Sequence, residues 1–84
     1  MAKVEMYTKA NCPYCRLAKS LLDNKQVTFE EIRVDLQPEK LTEMITRSNR
    51  RTVPEIFIND QLIGGYDELA AITKSGKLDQ LIQS

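Results

Sequence analysis

Both cysteines of this chain stand in one tetrapeptide, Cys12-Pro13-Tyr14-Cys15, between a strand-like run and an amphipathic helical one. A chain that must hold two sulfurs at the mouth of a helix has few folds open to it. With the helix starting at Pro13, positions 12 and 15 are i and i+3 neighbours on one face. Their Cβ atoms are then roughly 5–6 Å apart, and a small shift brings the sulfurs into disulfide range. Cys12 falls at the N-cap or first helical position, where unpaired backbone N–H groups and the positive end of the helix dipole favour an anion. In such settings a thiol drops from about 8.5 into the range of about 3.5–7.5. Cys15 lies a turn deeper and is expected to stay protonated. Pro13 suits the first helical turn, because its fixed φ fits and the N–H it lacks has no partner there. Tyr14 cannot point the same way as both cysteines, so it is expected to be partly exposed beside them as an aromatic wall for a substrate.

Other uses of two cysteines fit less well. A structural disulfide closing a four-residue loop contributes only about 2 kcal/mol on the chain-entropy model. Zinc needs four ligands in most structural sites, and with two cysteines and no histidine only a site shared between two chains could supply them, so no metal is expected. Two inert core cysteines need neither Pro13 nor a strand-to-helix junction. The lack of histidine also removes the imidazole base that a papain-like cysteine mechanism requires.

Composition narrows the class further. Eighty-four residues make one domain, 1–84, with one small core. An apolar share of 42% with 29% charged residues is that of a soluble globular protein, which sets aside disordered and membrane classes. Lys plus Arg equals Asp plus Glu at 12 each, so no surface dedicated to nucleic acid is expected. The start of the chain, Met1 to Met6, carries no apolar leader, and no run reaches bilayer-spanning length. A cytoplasmic location is expected, where a Cys-x-x-Cys pair is more often catalytic than structural.

Along the chain, Val4 to Thr8 reads as a first strand, and the polar Lys9-Ala10-Asn11 as a tight loop delivering the cysteines. Leu17, Ala18, Leu21 and Leu22 recur at helical spacing from Pro13 to about Asn24. Val27 to Val34 is the second strand, and Glu30-Glu31 within it suits a sheet edge. Pro38 opens a second helix with Leu41, Met44 and Ile45 on one face and Arg47, Arg50 and Arg51 at its end. Arg47 and Arg50 read as solvated charges compensating the helix dipole. Glu55 to Ile58 and Gln61 to Ile63, split by Asn59-Asp60, form a β-hairpin. Gly64-Gly65 stops it, a third helix begins at Tyr66-Asp67-Glu68, and Gly76 separates that helix from a short last turn. The order β-α-β-α-β-β-α gives an α/β fold: a four-stranded mixed sheet flanked by helices on both faces.

Three separated motifs, Tyr7-Thr8-Lys9 leading to Cys12-Pro13-Tyr14-Cys15, then Arg51-Thr52-Val53-Pro54, then Gly64-Gly65-Tyr66-Asp67, give the whole chain a resemblance to the glutaredoxins of the small bacterial dithiol kind. The resemblance implies a thioredoxin-like fold and a glutathione site built from Lys9, Tyr14, Arg51, Thr52, Val53, Pro54, Gly65, Tyr66 and Asp67. It implies that Pro54 follows a cis peptide opposite Cys12, leaving the backbone of Val53 as an open edge to which the cysteinyl part of glutathione pairs like an added strand. Gly65, Tyr66 and Asp67 look like the site for the γ-glutamyl end, with free N–H groups for its carboxylate and Asp67 for its ammonium. Taken alone, Asp67 also reads as an N-cap. Lys9 and Arg51 are similar to the cations that hold the glycyl carboxylate. Where the family often carries a small residue or a cysteine, this chain has Tyr66.

The implied activity is that of a glutathione-dependent thiol–disulfide oxidoreductase, acting through Cys12 and Cys15 on protein disulfides and on glutathione mixed disulfides. The implied partners are glutathione and disulfide-bearing or glutathionylated proteins, met by a monomer. A redoxin served by thioredoxin reductase is the nearest rival, against which Lys9, Arg51 and Asp67 argue. An iron–sulfur carrier, with two chains and two glutathiones holding a cluster through Cys12, fits the Cys-Pro-Tyr-Cys motif less well.

Overall fold

Alternation along Val4–Thr8 sorts the side chains of the first strand onto two faces, and two separate cores form on them. The computed structural model describes residues 2–83; Met1 and Ser84, the ends of the expected domain, lie outside the described residues. The elements are β1 (Val4–Thr8), α1 (Pro13–Asn24), β2 (Glu30–Arg33), α2 (Pro38–Ser48), β3 (Glu55–Ile58), β4 (Gln61–Gly64), α3 (Tyr66–Lys74) and α4 (Lys77–Ile82). The sheet runs β2-β1-β3-β4, with β1 parallel to β2 and antiparallel to β3, and β3 antiparallel to β4. Val4, Met6, Ile56 and Ile58 face Ala18 and Leu22 of α1, Leu69 of α3 and Leu78 of α4. Tyr7, Ile32 and Phe57 face Met44 of α2 on the other side. The expected mixed sheet with helices on both faces is the one found, with β2 at an edge. Every residue of β3 is buried because both of its faces are covered.

Turn chemistry fixes the register. Asn59 and Asp60 both take positive φ, 52° and 66°, as a two-residue hairpin turn demands. Lys3 and Asn59 exchange hydrogen bonds, the Lys3 N–H donating to Asn59 Oδ1 and the Asn59 N–H to the Lys3 carbonyl, which ties the start of β1 to the hairpin tip. Gly64 sits at φ 121°, where a Cβ would meet Glu68 Oε1 at 2.6 Å, so no other residue fits there without displacing Glu68.

Two expectations need correction. The second strand is shorter than Val27–Val34, because the Val27 N–H donates to the Leu22 carbonyl and closes the end of α1 instead of joining a ladder. Val27 and Phe29 still pack against the α1 side of the sheet, which is why their alternation looked strand-like. Arg47, expected as a solvated charge, is held in a network over the sheet. Its guanidinium donates to Glu5 Oε1 at 3.0 Å and Oε2 at 3.3 Å and to the Tyr7 hydroxyl at 2.8 Å, and lies 3.9 Å from the Phe57 ring centroid. The Tyr7 hydroxyl in turn donates to Glu43 Oε2. The pattern missed this because Glu5 and Tyr7 point to the α2 face, where Arg47 is the group that can answer a carboxylate.

Truncation by Arg47→Ala leaves Glu5 without its fork partner, and a loss of about 2 kcal/mol in urea unfolding is expected. Tyr7, pushed up to about 12 by burial first and by its bond to Glu43 second, supplies a spectroscopic check. One of the three tyrosines is expected to ionise only near pH 12 in ultraviolet titration of the folded protein. Because the folded value lies above the ordinary 10.0, the stability tied to neutral Tyr7 is complete below that pH and is lost as pH rises through about 12.

Candidate active site

The backbone turns sharply before the cysteines, with Asn11 at φ 57°, and Cys12 then caps α1 in an extended conformation. Pro13 is the first helical residue, and the Arg16 N–H donates to the Cys12 carbonyl at 3.1 Å. The Cys15 N–H donates to the Cys12 sulfur at 3.2 Å. The first turn of α1 carries no acidic side chain, so its positive end faces the sulfur without competition. The two cysteines are joined as a disulfide with Cα atoms 5.2 Å apart. Cys12 is 7% exposed and Cys15 2%, so the capping cysteine is the more accessible of the pair. Tyr14 is 59% exposed beside them, as the motif implies.

Opposite the sulfur lies the segment that leads into β3. The Val53–Pro54 peptide is cis, and the Cys12 sulfur lies 3.9 Å from the Val53 carbonyl oxygen. Two grooves share Thr52 and Val53 as a common wall. The first, of about 300 Å³, is lined by Tyr14, Thr52 to Glu55, Gly65 to Glu68, and Arg50. The second, of about 430 Å³, is lined by Lys9, Val34, Asp35, Leu41, Arg51, Thr52 and Val53. Every residue proposed from sequence for the glutathione site therefore borders one groove or the other, and Arg51 and Lys9 border the same one.

The helix α3 end of the first groove differs in detail from expectation. The Gly65 N–H is not free: it donates to Glu68 Oε1 at 2.6 Å, as Glu68 reaches back over the turn. The first intrahelical bond of α3 runs from the Leu69 N–H to the Gly65 carbonyl, which leaves the N–H groups of Tyr66, Asp67 and Glu68 without an intrahelical partner. Gly65 is the N-cap, so Asp67 sits within the first turn and makes no cap bond. Tyr66, the departure from the family pattern, pairs with Tyr14 at 6.2 Å between ring centroids, and the two rings extend the wall of the groove.

Four further residues shape the site. Asp35 accepts the Ala10 N–H at 3.1 Å and the Arg33 guanidinium at 2.7 and 2.6 Å, so it ties the loop before Cys12 to the end of β2. The Arg33 guanidinium holds the Asp35 carboxyl well below the usual carboxylate range. Arg50 Nη1 lies 3.9 Å from Glu55 Oε1 and 3.7 Å from Glu68 Oε1. Glu55 is fully buried; its Oε2 accepts the Thr52 hydroxyl at 3.0 Å, and its Oε1 has no hydrogen-bond partner among the described residues. Burial pushes the Glu55 carboxyl up. A signal for Glu55 was present in the sequence as one acidic residue opening an otherwise apolar strand, Glu55-Ile56-Phe57-Ile58.

Among the described residues there is no group of three or more His, Cys, Asp or Glu that could hold a metal ion, and no helix long and apolar enough to cross a membrane.

Comparisons with known proteins agree with this geometry. The glutaredoxin family model matches residues 4–63. The chain is 53% identical over 83 residues to glutaredoxin 3 of Escherichia coli strain K12, a match that covers 99% of this chain and 100% of the relative. Its structure is similar to the solution structure of a glutaredoxin from Brucella melitensis, with a TM-score of 0.85 and 46% identity over 98% of this chain and 89% of that one. It is also similar to a buckwheat glutaredoxin–glutathione complex, with a TM-score of 0.89 and 26% identity over 98% of this chain and 77% of that one. The sheet with its flanking helices is the thioredoxin-like fold, and Cys12 and Cys15 form a redox pair at the end of a helix. The chain belongs to the glutaredoxin family, the glutathione-dependent thiol–disulfide oxidoreductases.

Proposed function

We propose that Cys12 is the nucleophile and Cys15 the resolving thiol of a reductase for glutathionylated and disulfide-bonded proteins, with glutathione as electron donor. The observation that carries this reading is the Cys12 sulfur itself. It caps α1, accepts the Cys15 N–H, and lies against Val53 where two grooves meet. The Cys15 N–H and the helix dipole favour the thiolate once the disulfide is reduced.

In the monothiol cycle the Cys12 thiolate attacks the glutathione sulfur of a mixed disulfide. A Cys12–glutathione disulfide forms and the partner's thiolate leaves, taking a proton from solvent. A second glutathione thiolate then attacks the glutathione sulfur on Cys12, giving oxidised glutathione and returning the Cys12 thiolate. When the substrate is a protein disulfide, the Cys12 thiolate attacks one of its sulfurs, the substrate S–S bond breaks, and the other sulfur leaves as a thiolate that takes a proton from solvent. Cys15 loses its proton, attacks the Cys12 sulfur, and expels the substrate's second thiol as the Cys12–Cys15 disulfide forms.

Val53 offers a backbone edge to the cysteinyl part of the tripeptide. Lys9 and Arg51 in the second groove suit the glycyl carboxylate. The N–H groups of Tyr66 and Asp67, with the Asp67 carboxylate, suit the γ-glutamyl end. We assign this work to a monomer acting as one domain, 1–84, in the cytoplasm. The glutathione found in the buckwheat complex supports the choice of donor.

Four measurements test the reading. Cys15→Ser is expected to retain reduction of a glutathionylated peptide and lose reduction of protein disulfides, while Cys12→Ser loses both; equal losses in the two variants overturn the division of roles. The alkylation rate of the reduced protein by iodoacetamide is expected to reach half its plateau below pH 8, and a midpoint at the ordinary thiol value of about 8.5 removes the basis for Cys12 activation. Replacement of both cations, Lys9→Gln with Arg51→Gln, is expected to raise KM for the glutathionylated peptide about fivefold at low salt with kcat little changed, since exposed charge pairs contribute about 1 kcal/mol. Glutathione and glutathione reductase are expected to sustain turnover, and activity sustained by thioredoxin reductase instead overturns the choice of donor.

A further inference from the structure

We infer that Glu55 is a specificity-determining residue of the substrate site, whose buried oxygen accepts a hydrogen bond from the α-ammonium of the γ-glutamyl group. The inference rests on the reading of glutathione as the substrate and adds a residue that the resemblance did not assign. A buried carboxylate oxygen without a partner is costly and rare in a native protein, and it calls for a reason. In Glu55, a residue of the wall of the first groove, one oxygen is satisfied by the Thr52 hydroxyl, while the other, Oε1, is buried with no hydrogen-bond partner among the described residues. Arg50 is a neighbouring charge at 3.9 Å, too far for a good hydrogen bond, and it is shared with Glu68. The acceptor capacity of Oε1 is therefore unspent.

Charge selects the ligand group. The first groove is lined by three carboxylates, Glu55, Asp67 and Glu68, against one guanidinium, Arg50. The second is lined by Lys9 and Arg51 against Asp35, whose carboxylate is already forked by Arg33. Glutathione carries its single ammonium, beside an α-carboxylate, on the γ-glutamyl end, and a carboxylate with no ammonium on the glycyl end. The acidic groove therefore takes the ammonium end. Within that groove Asp67 and Glu68 are exposed and screened by water, whereas Glu55 is fully buried, so Glu55 is the carboxylate that gains most from a cationic donor. A buried acceptor that the right ligand satisfies and an analogue leaves empty is also the arrangement that discriminates best.

The test uses two mixed disulfides of one peptide, one made with glutathione and the other with desamino-glutathione, in which hydrogen replaces the α-ammonium. Wild-type protein is expected to prefer the glutathione disulfide about tenfold in kcat/KM, the effect of one charge-assisted hydrogen bond. In Glu55→Gln that preference is expected to fall below about threefold, mostly through a higher KM for the glutathione disulfide, with the desamino disulfide almost unaffected. Glu55→Asp, which keeps the charge on a shorter arm, is expected to restore part of the preference. Equal losses on both disulfides in Glu55→Gln mean that Glu55 only supports the groove, and this overturns the inference. A wild-type protein that turns over both disulfides equally well overturns it without any variant. A wild-type protein that turns over neither overturns the glutathione reading on which it rests.

Discussion

The contact on which the rest of the molecule depends is the bond from the Cys15 N–H to the Cys12 sulfur at the first turn of α1. It is possible only if the helix begins at Pro13 with Cys12 as its cap. Ala18 and Leu22 anchor α1 on one face of the sheet, and Asp35 fastens the loop that precedes Cys12 through the Ala10 N–H. From the other side the segment leading into β3, a fully buried strand, brings the Val53 carbonyl to the sulfur. Cys12 thus sits at a point where a helix end, a loop and a strand start are each fixed by their own packing. The side chains of the pair need supply only the chemistry.

Much of this was legible in the sequence, for physical reasons that can be named. Pro13, Gly76 and the Asn59-Asp60 turn announce backbone conformations that few other residues adopt, and the elements between them follow. The grouping of Lys9 with Arg51, and of Tyr14 with Gly65, Tyr66 and Asp67, came from motifs far apart in the chain; hydrophobic periodicity alone carries no such information. What escaped was decided by tertiary contacts. Val27 has the side chain of a strand residue, yet its N–H serves a helix end. The Gly65 N–H looked open until Glu68 folded back onto it. Neither contact has a signature in local spacing.

Arg47 and Glu55 show two ways of keeping charge inside a small protein. Arg47 is surrounded by answers: a bidentate carboxylate, a hydroxyl and an aromatic face, on the side of the sheet remote from the cysteine pair. Its role is architectural, joining α2 to β1. Glu55 is buried with one acceptor unanswered, and it borders the groove beside the redox pair. A polar group that stabilises the fold is satisfied by the fold, while one that stays unsatisfied in it is available to something that arrives from outside.

The two cysteines are only three positions apart and belong to a single helical turn that is already organised by Cys12, Pro13 and the Arg16 N–H. Opening or closing so small a ring frees little chain and asks nothing of the sheet or of either core. The oxidised and reduced proteins can therefore share one scaffold, and electrons pass through without the molecule having to refold between them. Redox chemistry is confined to the helix tip, and the other elements serve as a constant frame around it.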